Sequence, residues 1–235
     1  MNHHDVKEEI CRVGKLIYDK GFVAANDGNI SVKVAEDRVI TTPTGVSKGM
    51  MTPEMMVTVN LDGEVIDGQL RPSSELKMHL RVYKERPDVQ AVVHAHPPHA
   101  TAFAIAGIPL DKAILPEAVV TLGTIPIAEY GTPGTEEIPD SVAKYVKDHN
   151  GLLLESHGAL TWAKDLMSAY FLMESLEFTA TISFYVKQLG AERQLSTSRV
   201  AELREIRERM GITGKTPDGL SSPDGRSIVD PKERR

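Results

Sequence analysis

With 235 residues, a net charge of −6 and no basic cluster, the chain is long enough for a substantial core and is not built to grip a nucleic-acid backbone. Hydrophobic residues make up 41% and charged residues 26%, the balance of an ordinary globular protein, and no apolar run approaches the ~20 residues of a membrane span. A single cysteine, Cys11, excludes an intramolecular disulfide framework; with no signal-peptide pattern at the polar N-terminus, the expectation is a soluble cytoplasmic protein with neither nucleic acid nor membrane as partner.

Asp5 opens a predicted helix whose apolar positions Val6, Ile10, Val13, Leu16 and Ile17 keep the helical repeat, with Gly21 as its stop. Ala25-Asn26-Asp27-Gly28-Asn29 is a turn of residues that tolerate tight backbone. It feeds a strand over 30–34, which 39–42 can pair, and Thr42-Pro43-Thr44-Gly45 makes a second turn. Thr52-Pro53-Glu54 resembles a helix start, and Asp62-Gly63 predicts a hairpin between 57–60 and 64–66. Ser73-Ser74-Glu75 begins another helix with Leu76, His79, Leu80 and Tyr83 on one face, ended by Pro87.

Val89 to Val93 is short, apolar and β-branched, the pattern of a buried strand. Side chains on a strand alternate, so His94 and His96 share one face, and Pro97-Pro98 stops the ladder just beyond them. Such a pair can offer two nitrogens to one metal ion; read alone, it fits hydrogen-bonded core histidines equally well. Beyond it the pattern predicts a helix over 99–106, one or two strands within 119–130 interrupted at Gly123, a helix over 139–149 and a strand at 152–154. His157 follows that apolar run beside Gly158 and is the candidate third nitrogen. A long helix is predicted from Asp165 to Gly190 and a charged one from Thr197 to Met210, with a mobile tail from Thr213. Strands mixed with helices and no linker before residue 190 point to a single α/β domain: a mixed central sheet flanked by helices.

Glu75 sits where an acid favourably meets a helix dipole. Ser73 and Ser74 beside it, and the turns Gly28-Asn29 and Thr44-Gly45, each combine small residues with short donors suited to a phosphate. Gly28-Asn29-Ile30-Ser31, Thr42-Pro43-Thr44-Gly45, Pro72-Ser73-Ser74-Glu75, Val92-Val93-His94-Ala95-His96 and Ser156-His157-Gly158-Ala159-Leu160 together resemble the class II aldolase family, whose types are L-fuculose-1-phosphate aldolase and L-ribulose-5-phosphate 4-epimerase. The match runs in family order over about residues 5–190, leaving 191–235 as a charged helix and tail outside the class II aldolase-like domain.

The resemblance implies that His94, His96 and His157 bind a divalent metal, zinc before manganese or cobalt. It implies that Glu75 is the catalytic acid/base and reaches the metal when substrate is absent. Gly28, Asn29, Thr44, Gly45, Ser73 and Ser74 would hold the phosphate of a sugar phosphate. The implied reaction is reversible cleavage of a ketose 1-phosphate to dihydroxyacetone phosphate and an aldehyde, in a homotetramer with active sites at subunit interfaces. A Lewis-acidic metal would stabilise the enediolate that C–C cleavage leaves. The 4-epimerases carry aspartate at the position of Glu75, which favours the aldolase; a methylthioribulose-1-phosphate dehydratase and the adducin head, a binding module without the ligands, are the alternatives. One departure stands out. The fuculose-type enzyme handles the aldehyde end with tyrosines, but here the segment reads Ile114-Leu115-Pro116-Glu117-Ala118, and no tyrosine follows Tyr185. Glu117 becomes the candidate acid at the C4 oxygen. The departure also brings 5-deoxy- and 5-methylthioribulose 1-phosphates in beside fuculose 1-phosphate as substrates.

Overall fold

The computed structural model describes residues 2–221. The first helix, α1 (His3–Asp19), buries Val6, Ile10, Val13 and Ile17. It starts two residues before Asp5, because Asn2 and Asp5 form a reciprocal capping box in which each side chain accepts from the other's amide. An antiparallel meander follows: β1 (Asn29–Ala35), β2 (Arg38–Thr41), β3 (Val57–Val59) and β4 (Val65–Asp67). Thr52-Pro53 initiates only a single 3-10 turn, Pro53–Met55, because Met56 is already extended toward β3 and no side chain caps the turn.

The chain continues through α2 (Leu76–Glu85), β5 (Ala91–Ala95), α3 (Pro98–Ile105), β6 (Ile127–Ala128), α4 (Glu137–Val146), β7 (Gly151–Leu154) and β8 (Gly158–Ala163). It ends in the long α5 (Leu166–Leu189), capped by Asp165 and closed by left-handed Gly190, and in α6 (Thr197–Arg209). The eight strands form one sheet in the order β4-β3-β2-β1-β5-β8-β7-β6, antiparallel throughout except where β6 runs parallel to β7. This is the expected mixed-sheet α/β domain.

Period-2 alternation sorts each central strand between two cores. From β5, Ala91, Val93 and Ala95 pack with residues of α1, α3 and α5, while Val92 packs with α2 and α4. In β8, Ala159 joins the first group and Leu160 and Trp162 the second. His94 therefore points to the α2 face. Among the described residues no helix is long and apolar enough to cross a membrane.

Three further segments depart from the sequence expectations. Val119 to Leu122, read as strand for its β-branched residues, forms a π-helical turn, Ala118–Leu122, and only Ile127–Ala128 pairs as strand. The buried Arg207 of α6 donates to the Val120 carbonyl at 2.7 Å, so tertiary contact decides the conformation there. β8 was not anticipated: it is buried on both faces and shows no polar alternation. From Thr213 the chain, expected as a mobile tail, runs back over the body, with Lys215 N–H donating to Asp148 O (2.7 Å) and Leu220 N–H to Leu195 O (3.0 Å). The remainder of the expected tail, 222–235, lies outside the described residues.

Candidate metal centre

β1, β5 and β8 lie side by side at the middle of the sheet, with Asn29 opposite His94 and Ala95 opposite Ala159. His94 therefore stands at the end of the central strand, His96 just beyond it, and His157 in the turn that joins β7 to β8. Ser156 adopts φ +57° to make that turn tight. A Cβ on Gly158 would meet the Ala95 carbonyl and His96 Cδ2, each at 2.6 Å, so only glycine lets the turn lie against the β5 end. The three imidazoles converge, their ring centroids 4.8–4.9 Å apart, and their ligand atoms all lie within 4.8 Å of one another.

His94 Nδ1–H donates to the Ala159 carbonyl at 2.9 Å, which fixes its tautomer and turns Nε2 toward the centre. There Nε2 of His96 is 3.0 Å away. Glu75, the residue preceding α2, reaches in from the helix side: Oε2 lies 3.4 Å from His94 Nε2 and Oε1 3.1 Å from His157 Nε2. Asn29 Nδ2 donates to Glu75 Oε2 at 3.0 Å and holds the carboxylate in place. Burial of Glu75 opposes its ionisation, yet the His94 and His157 imidazoles outweigh this and hold its carboxyl far below the usual range. Burial, with His94 and His157 adding to it, pushes His96 down to about 4, so it is the neutral, ligating form near pH 7. Two facing imidazole nitrogens and a buried Oε1 without a hydrogen bond are poorly satisfied by one another. A divalent cation fits that donor set of three imidazoles and a carboxylate.

Behind the centre, Ser31 Oγ bonds both His79 Nδ1 and Tyr83 OH at 2.8 Å, which fastens α2 to β1. In front lies a cleft of about 220 Å³ lined by Gly28, Asn29, Thr44, Ser73, Ser74 and Glu75, with His96 and His157 at its floor. Its two outer loops are laced together, Thr44 N–H to Arg71 O (3.0 Å) and Ser73 N–H to Thr42 O (3.3 Å). Those amides are thus spoken for. The hydroxyls of Thr44 and Ser74 remain, and Ser73 Oγ, which accepts from Glu75 N–H at 3.3 Å, can still donate; the amides of Ser74 and of Gly45, which adjoins Thr44 without lining the cleft, have no backbone acceptor among the described residues. Nearly every site residue expected from the sequence is therefore in one place. Glu117 is not: it is exposed at the start of the π-helical turn and does not line the cleft.

The sequence matches the family described as Class II Aldolase and Adducin N-terminal domain over residues 8–184. The chain belongs to that family. It is 34% identical over 206 residues to the 5-deoxy-D-ribulose 1-phosphate aldolase of Bacillus thuringiensis serovar kurstaki, covering 87% of this chain and 96% of that protein. It is 33% identical over 207 residues to the 3-oxo-tetronate 4-phosphate decarboxylase of Cupriavidus necator, covering 85% and 94% respectively. A solved structure of L-fuculose 1-phosphate aldolase superposes with a TM-score of 0.81 at 31% identity, covering 88% of this chain and 97% of that one. Class II aldolases generally depend on a divalent metal, and the histidine triad offers it a place.

Sequence reasoning passed over two residues at this aldolase-type site. Asp27, read only as a turn residue, faces His96 Nδ1 at 3.6 Å. Lys48, in a segment with no pattern of its own, is buried behind the Gly28 loop. Neither carries a local signal, because Asp27 meets His96 and Lys48 meets Asn26 only once the chain is folded.

Proposed function

We propose that the protein is a metal-dependent class II aldolase that reversibly cleaves a ketose 1-phosphate to dihydroxyacetone phosphate and an aldehyde. The observation that carries this reading is the meeting of His94, His96, His157 and Glu75 at the floor of a cleft walled by small turns with spare hydroxyls and amides. The three histidines and Glu75 hold the cation, zinc in first place because imidazole nitrogens and one carboxylate suit it. When bound, the cation supplies Lewis acidity toward the substrate carbonyl. Gly28, Asn29, Thr44, Gly45, Ser73 and Ser74 bind the phosphate and set the register of the sugar. Glu75, held by Asn29, moves the proton at C3 of the dihydroxyacetone phosphate fragment. Glu117, exposed on one chain, serves the C4 oxygen across an interface between copies.

That interface belongs to a homotetramer, supported by the exposed apolar side chains Phe171, Phe178 and Tyr185, which recur every seven residues along α5. Free Cys11 suits the reducing cytoplasm. The 5-deoxyribulose, 5-methylthioribulose and L-fuculose 1-phosphates are the substrates to try first, the first of these because of the Bacillus relative. A second reading, decarboxylation of a 3-oxo-tetronate 4-phosphate, is favoured by the Cupriavidus relative; it too breaks a C–C bond and leaves an enediolate. A coupled assay for dihydroxyacetone phosphate across ketose 1-phosphates, run beside a carbon dioxide assay on the tetronate, decides between them. Release of dihydroxyacetone phosphate from at least one sugar is expected, and release from none overturns the aldolase reading.

A further inference from the structure

A sugar phosphate enters this cleft carrying nearly two negative charges. Among the described residues, the side chains that line the cleft include two acids, Asp27 and Glu75, but no lysine or arginine. Amides and hydroxyls can cradle the oxygens, but they add no net charge, and the two positive charges of a cation at the floor would be offset by Asp27 and Glu75, leaving the dianion unbalanced. The missing charge lies one layer back. Lys48 is 1% exposed, and its ammonium donates to the Asn26 carbonyl at 3.0 Å and the Val46 carbonyl at 2.6 Å. Asn26 belongs to the loop of Gly28 and Asn29, and Val46 follows Thr44 and Gly45, so one side chain ties together two walls of the cleft.

Stability alone does not account for this arrangement. Both hydrogen bonds go to neutral carbonyls, and burying an ammonium this way is costly. Burial pushes the Lys48 ammonium down to about 8, with nearby Asp27 opposing the shift. The backbone that carries it is held too: α1 packs so closely over the turn that a Cβ on Gly14 would meet the Lys48 carbonyl at 2.9 Å. The ammonium is bonded to the carbonyls of both loops, and its charge is felt by Asp27, which lines the cleft.

We propose that Lys48 is the positioning residue and buried counter-charge of the anion cleft, acting on the substrate phosphate through the Asn26 and Val46 loops. The proposal rests on the phosphate reading of the cleft, and the two are separable with inorganic phosphate as the probe. In calorimetric titration of the metal-loaded full chain, phosphate binds the wild type; K48M weakens it by roughly tenfold or more, and K48R restores it to within roughly threefold. In turnover of a phosphorylated substrate the K48M effect falls on KM rather than kcat, with metal content unchanged. Wild-type protein that does not bind phosphate overturns the cleft reading and Lys48 with it. Phosphate binding by K48M within about twofold of wild type overturns the Lys48 proposal alone. Should K48M not fold, K48Q, polar and neutral, takes its place, and a folded K48R that loses phosphate as severely as the neutral variant overturns the proposal equally.

Discussion

At the residue scale, the two roles proposed for Glu75 pull against each other. It precedes α2 and is held by Asn29 on Oε2, and although burial opposes its charge, the His94 and His157 imidazoles keep it ionised. An ionised carboxylate among three imidazoles would serve as a metal ligand, whereas the proposed base must be free to accept a proton from substrate. Glu75→Gln separates these roles. It keeps the shape and the Asn29 contact side but not the basic oxygen, and the three histidines still bind metal. The expectation is near-wild-type metal content by elemental analysis with kcat lower by about 10²–10⁴-fold. Full turnover in a metal-replete Glu75→Gln protein would remove Glu75 from the chemistry.

At the element scale, the β7–β8 hairpin does the work of bringing His157 to the β5 end. Its turn admits no side chain at 158, since a Cβ there would press on backbone of β5 and on the His96 ring. Gly158→Ala forces the hairpin away from β5 at a cost of about 1–3 kcal/mol. In a chain of this size that lowers Tm by about 2–4 °C for each kcal/mol. The added expectation is weaker metal binding, measured by competition with a chelator, because His96 and His157 move apart. Unaltered metal affinity would show that the turn has room to relax. The contrast between β5 and β8 explains what the sequence could and could not say. β5 announces itself by Val92-Val93 and the two prolines beyond, and α2 by the spacing of Leu76, His79, Leu80 and Tyr83. β8 lies between β5 and β7 with both faces covered, so its Ala159-Leu160-Thr161-Trp162 has no alternation to detect. The π-helical turn at 118–122 was hidden for the opposite reason: Val119-Val120-Thr121 looks like strand, and contacts with α6 far along the chain, Arg207 on the Val120 carbonyl and Val200 against Val119, favour the turn. Likewise His94, His96, His157 and Glu75 were legible as residue types in context, whereas Lys48 was not, because nothing near it in sequence marks a buried charge.

At the scale of the whole molecule, the long helix α5 is only half used. Its inner side buries Ala169, Tyr170, Met173, Leu176 and Ala180 against the sheet. Its outer side leaves Phe171 at 54%, Phe178 at 60% and Tyr185 at 55% exposed, with Leu189 at 78% beyond them and Ile105 of α3 at 64%. Aromatics seven apart fall on one stripe of a helix, and each buried ring contributes about 1.5–3 kcal/mol, so this stripe is worth covering with another copy. The F171E/F178E double variant places charges on the stripe without touching the core. It is expected to sediment as a species smaller than the wild-type assembly while keeping its metal, because all three histidines and Glu75 come from one chain. Its turnover is expected to fall further than its metal content, since the role proposed for exposed Glu117 would require a second copy to be docked. A double variant that sediments like the wild type would take α5 out of the interface, and a dissociated one with full turnover would place the whole reaction within a single chain.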